Sequence, residues 1–112
     1  MTEINNAGEP LSPTDELRAK LVSDTAKINW RELERFYAKG QVVLVSAELD
    51  LIETAAAVAQ DDKRKVEAWI KSGELGGVAA ETAQRWHDES YELWAVVVAP
   101  WVLVQDKPAR EL

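Results

Sequence analysis

The chain has 112 residues, a formal net charge of −7 and no cysteine. Its length fits one domain. Its charge disfavours nucleic acid and anionic membrane surfaces, both of which are gripped through Lys and Arg. The lack of cysteine excludes disulfides, thiolate metal sites and a Cys nucleophile. Five tryptophans point to a core rich in large rings.

Residues 1–11 show no periodicity and read as a disordered tail. Ser12-Pro13-Thr14-Asp15 then opens a first helix, with Ser12 capping and Pro13 at the first helical position. That helix runs to about Asp24 with a narrow apolar stripe of Leu17, Leu21 and Val22. Asn29 starts a second helix, with Glu32 placed for a capping box and Ile28 and Leu33 for a hydrophobic staple. Its buried face is Trp30, Leu33, Phe36 and Tyr37, and Lys39-Gly40 stops it.

Gln41 to Val45 is a short β-branched run and reads as a strand. A third helix, Leu51 to about Gln60, shows a face of Leu51, Ile52, Ala55, Ala56 and Ala59. Asp61-Asp62 breaks it and caps a fourth, about Lys63 to Ser72, packing through Val66, Trp69 and Ile70 and stopped by Gly73. If Trp69 is buried between these helices, Trp69→Ala should cost about 3–5 kcal/mol. Glu74 to Val78 is a turn or a short, weak strand. Ala79, Ala83 and Trp86 mark a fifth, short helix ending near Asp88.

The stretch from Leu93 to Val104 carries no charge. It reads as one long strand covered on both faces, because both of its alternating sets are apolar. Leu93, Ala95, Val97, Ala99, Trp101 and Leu103 form one set; Trp94, Val96, Val98, Val102 and Val104 form the other. Pro100, which has no N–H for a ladder, marks a bulge or an outer edge. Residues 106–112 form a polar tail, so residues 12–105 make up a single α+β domain of about five helices on a small sheet. With no secretory leader and no apolar run long enough to span a bilayer, the sequence reads as cytoplasmic.

Three groups of residues bear on function. His87, the only histidine, lies beside Asp88 and Glu89 and reads as a helix-end residue rather than a general base. Glu48, Asp50 and Glu53 gather at a helix start, where negative charge is favoured, and would hold a metal only by converging. The third and fourth helices meet at a tight Gln60-Asp61-Asp62 turn, spaced as in a helix-turn-helix unit. The segment from Val66 to Leu75 resembles the second helix and exit of excisionase-like winged-helix domains. Lys63, Arg64 and Lys65 would then begin a reading helix, yet Asp61 to Ser72 sums only to +1, with four cations against three anions.

Several stretches together resemble a bacterial family of small acidic proteins, domain of unknown function 2288. They are Asn29 to Leu33 leading to Gly40, Leu49 to Glu53 with Ala55 to Ala57, Asp61-Asp62, Val66 to Trp69, and Glu92 to Gln105. The resemblance runs from about Leu17 to Gln105 and implies a bacterial cytoplasmic protein with no assigned activity, cofactor or catalytic residue.

The reading is therefore a non-enzymatic protein-interaction module without cofactor or metal, whose partner is another protein or a second copy of itself. Lys63, Arg64, Lys65, Trp94 and Trp101 are its candidate interaction residues. The alternatives are a helix-turn-helix DNA-binding regulator and an enzyme or metal protein built on Glu48 to Glu53.

Overall fold

The sheet is built around a hairpin near the C-terminal end of the fold. In a computed structural model that describes residues 13–106, the uncharged stretch is two strands, β4 (Glu92–Val98) and β5 (Trp101–Gln105), with Ala99-cis-Pro100 as the turn. They pair antiparallel, Val98 opposite Trp101 and Val97 opposite Val102. This corrects the single long strand, and with it the two apolar sets. Across a two-residue turn, residues three apart become cross-strand partners on one face. Along one strand they would point to opposite faces. Trp101 and Leu103 therefore share a face with Trp94 and Val96, while Val102 and Val104 share the other with Leu93 and Ala95.

Three further strands complete a mixed five-stranded sheet: β1 (Ala26–Asn29), β2 (Val42–Val45) and β3 (Leu75–Gly76), in the order β1-β4-β5-β2-β3. β2 runs parallel to β5 and antiparallel to β3; β1 runs antiparallel to β4. β1 is absent from the sequence reading. It is an edge strand of mixed composition, Ala-Lys-Ile-Asn, exposed or half-buried along its length. Its extended form comes from pairing with β4 rather than from its own propensity.

Five helices cover the two faces. On one face lie α2 (Trp30–Ala38) and α5 (Ala80–Asp88), closing a core around Trp30, Leu33, Trp86, Leu93 and Val104. The rings of Trp30 and Trp86 meet edge to face at 5.2 Å, and Trp86 stacks on Tyr91 at 5.8 Å. On the other face lie α1 (Pro13–Asp24), α3 (Leu51–Ala59) and α4 (Lys63–Ser72), over Leu21, Leu51, Ile52, Ala55, Val96 and Leu103. An Arg18–Glu53 fork, with contacts of 2.8 and 2.9 Å, ties α1 to α3. Being exposed, it contributes no more than about 1 kcal/mol.

The helix boundaries follow local chemistry. Asn29 caps α2 by accepting from the Arg31 N–H at 3.0 Å, one residue earlier than a capping box would have it. Asp50 accepts from the Ile52 and Glu53 N–H groups at 2.9 and 3.1 Å, and Asp62 from Lys65 at 3.3 Å. Gly40 (φ 72°) and Gly73 (φ 82°) supply the left-handed exits that L side chains resist. Ser12, the tail at 1–11 and, of the tail at 106–112, residues 107–112 lie outside the described residues.

Two packing expectations need correction. Val22 is 53% exposed and takes no part in the α1 stripe, where Leu21 is the buried residue. α4 has no buried residue at all: Val66 and Trp69 are half-buried, and Ile70 is 56% exposed. α4 lies at one end of its helix layer, beside α3 and β3, and the Ile70 side of its apolar stripe is left uncovered. Trp69→Ala is then expected to cost only about 1–2 kcal/mol, less than a fully buried ring. Urea melts of the variant check this; a loss of 3 kcal/mol or more would mean that Trp69 is buried in solution.

Candidate functional site

Where α4 stands away from the sheet it leaves a groove. α3 comes close to the sheet because Ala55 and Ala56 are small and buried. The chain then reverses through Asp61, which adopts a left-handed φ of 54°, and α4 leaves at Asp62. The space of about 340 Å³ between this hairpin and β2, β3 and β5 is lined by Val43, Val58, Val66, Ile70, Leu75, Trp101 and Leu103, with Gly40, Val42, Gly76 and Gly77. The glycines help keep it open. A Cβ at Gly40, Gly76 or Gly77 would meet nothing within 4 Å.

Beside the groove lies a second hollow of about 330 Å³. It shares Val58, Val66 and Trp101 with the first and adds Asp61, Lys63 and Glu67. The two adjoin at these shared residues, the first lined mainly by apolar side chains and the second adding charges of both signs to that end of the depression. Trp101, 41% exposed, is the wall common to both.

The structure separates the residues named from sequence. Trp101 lies on the groove. Trp94 shares its face of the sheet but sits about 13 Å away, four residues along the strand. There it is half-buried beside Val22, Thr25 and Ile52, with the Lys27 ammonium 5.6 Å from its ring. Lys63, Arg64 and Lys65 are all exposed, but only Lys63 lines the depression, and Lys65 lies 3.9 Å from Asp62.

The acidic residues do not converge either. Asp50 caps α3, Glu53 is held by Arg18, and Glu48 is exposed. Among the described residues, no three His, Asp or Glu side chains are grouped to hold a metal ion. His87 Nδ1 lies 2.9 Å from Glu34 Oε1, and the Arg31 side chain donates to the His87 carbonyl at 3.0 Å. His87 thus joins α5 to α2, on the opposite side of the sheet from the groove.

The profile of a family described as "Protein of unknown function (DUF2288)" matches residues 16–106. The chain belongs to this family. Its match takes in every element around the groove, from β2 to β5. A similar solved structure is the NMR solution structure of PA1075 from Pseudomonas aeruginosa, 44% identical, with a TM-score of 0.71. The similarity covers 90% of this chain and 94% of that one. The curated proteins contain no match.

The Tyr91 hydroxyl donates to Asp106 Oδ1 at 2.5 Å, and this bond, followed by burial and the Asp106 charge, raises its pKa above the usual 10. A raised pKa in the folded state favours the protonated form. The stability it contributes is complete below about pH 10 and is lost as pH rises through the folded pKa. Stability should therefore fall above pH 10 in the parent, and less steeply in Tyr91→Phe. Urea melts between pH 9 and 11.5 check this; identical slopes would remove the coupling.

Proposed function

We propose that this protein is a non-enzymatic interaction module that takes an apolar part of a protein partner into the groove between α4 and Trp101. The observation that carries the reading is the pair Ile70 and Trp101. Both are large, apolar and exposed, and both border one open depression. Grouped exposure of this kind marks interaction surfaces, and tryptophan is enriched among the residues that dominate binding energy. The polar end at Asp61, Lys63 and Glu67 supplies the rim that fixes orientation. No helix among the described residues is long and apolar enough to cross a membrane. In this reading the module works in the cytoplasm, where a chain without cysteine forgoes no disulfide.

The test is capture from bacterial lysate on the intact protein and on Trp101→Asp, with proteins and nucleic acids both identified. A protein retained by the parent and lost with Trp101→Asp supports the reading; retention that ignores Trp101 overturns it. DNA binding is tested on the same material. The charge balance predicts no sequence-selective binding at physiological salt, and any weak binding should fall steeply as salt rises. A footprint abolished by Lys63→Ala and Arg64→Ala would replace the groove reading with the helix-turn-helix one.

A further inference from the structure

The groove is an incomplete surface, and three observations bear on what completes it. The first is shape. Projecting side chains and the hollow lie side by side: Trp101 and Ile70 stand out next to a depression in which three glycines leave the backbone bare. A two-fold contact needs this arrangement, because the same patch must supply both the inserted group and the space that receives it.

The second is charge. The chain as a whole is at −7, which opposes self-association at long range. The end of the depression, however, carries Asp61, Lys63 and Glu67 together. A rim of one sign would repel its own copy. A rim of both signs allows Lys63 of each copy to meet the carboxylates of the other.

The third is area. A stable interface covers about 800 Å² on each partner. One indole supplies at most about 150–250 Å², and Trp101 is already more than half covered. The groove alone is too small. The hairpin tip adjoins Trp101 in sequence, and its Ala99 and Pro100 are also exposed. The exposed tip extends the apolar surface beyond the groove, which a dimer contact needs.

We propose that the occupant of the groove is a second copy of this chain, in a two-fold dimer where Trp101 and the hairpin tip of each copy seat against the groove of the other. The proposal rests on the interaction reading above and names the partner.

Sedimentation of the intact chain over a dilution series tests it. The expected mass is 12.5 kDa at low concentration, rising toward twice that value through the micromolar range. Trp101→Asp should weaken association about ten- to a hundred-fold with helical circular dichroism unchanged. Val22→Asp, exposed on α1 beside Trp94 and away from the groove, should leave it intact. Lys63→Glu and Glu67→Lys should each weaken it, and an equimolar mixture of the two should restore it, a rescue that damage to folding would not produce. A mass that stays at 12.5 kDa to the highest micromolar concentrations overturns the proposal, as does a dimer that survives Trp101→Asp. The apolar dye anilinonaphthalene sulfonate separates the two readings. If the monomer binds it and Trp101→Asp does not, the groove stays an interaction surface with another occupant. If neither binds it, the interaction reading falls as well.

Discussion

Trp86→Ala should destabilise the protein by about 3–5 kcal/mol. The ring is 2% exposed and packs edge to face on Trp30 and stacked on Tyr91. Each such aromatic pair adds about 0.5–1.5 kcal/mol to the area term. The Trp86 indole N–H has no partner, so the substitution removes packing and no hydrogen bond. Removing the ring leaves a hole between α2, α5 and the sheet that short helices cannot close. Since domains are stable by only about 5–15 kcal/mol, the variant should be partly unfolded at modest urea concentration. Trp86→Phe keeps a ring and should lose roughly half as much. A melt of Trp86→Ala within 1 kcal/mol of the parent would show that this side of the sheet is not tightly packed.

Gln105→Leu should cost about 1–3 kcal/mol, although it replaces a polar side chain with an apolar one of similar size. Gln105 is wholly buried, and its Nε2 donates to the carbonyls of Ser46 and Leu49, both at 2.8 Å. Leucine leaves the Leu49 carbonyl without a donor, at about 1–3 kcal/mol, while the Ser46 carbonyl keeps the Leu49 N–H at 3.0 Å. The Gln105 Oε1 has no partner in the protein, so its removal offsets part of that loss. Because the two carbonyls belong to the segment leading into α3, the damage should be local. Hydrogen exchange should speed up at residues 46–52 before the sheet is affected. An unchanged melt would mean that water replaces the amide without cost.

The parts of the fold legible in the sequence are those set by neighbouring residues. The ends of α2, α3 and α4 can be read from Asn29, Asp50, Asp62, Gly40 and Gly73, because a cap acts within three or four residues of itself. β1 and the break at Ala99-Pro100 cannot be read that way. Ala-Lys-Ile-Asn has no strand pattern of its own, and the turn lies inside a run with no charge and none of the Asn-Gly or Asp-Gly signals of tight hairpins. Missing that turn assigns every β5 side chain to the wrong face. Trp94 and Trp101 then look opposed, when they in fact lie at two ends of one face.

The candidate site was only partly visible. Trp101 and Lys63 could be singled out from their chemistry. The groove could not, because its walls come from five elements and part of its floor is glycine, whose contribution is the absence of a side chain. Nor does the periodicity of α4 reveal that its stripe is half uncovered. Spacing gives the direction of Val66 and Ile70 but not whether another element lies over them.

The pairing scheme also dictates when the protein can be assembled. β1 joins the sheet only through β4, and β2 meets β5 at Val42–Val102, with most of the chain between them. Only the two registered positions of β2 and β3 link strands made before the hairpin. As the chain leaves the ribosome at about 5–20 residues per second, its helices emerge without the surface they lie on. Folding must wait for Glu92–Gln105, a demanding order because long-range pairing forms slowly. Until that hairpin appears, Trp30, Leu33, Leu51 and Ile52 lack the sheet that buries them, and the nascent chain carries in open solvent the side chains that chaperones bind.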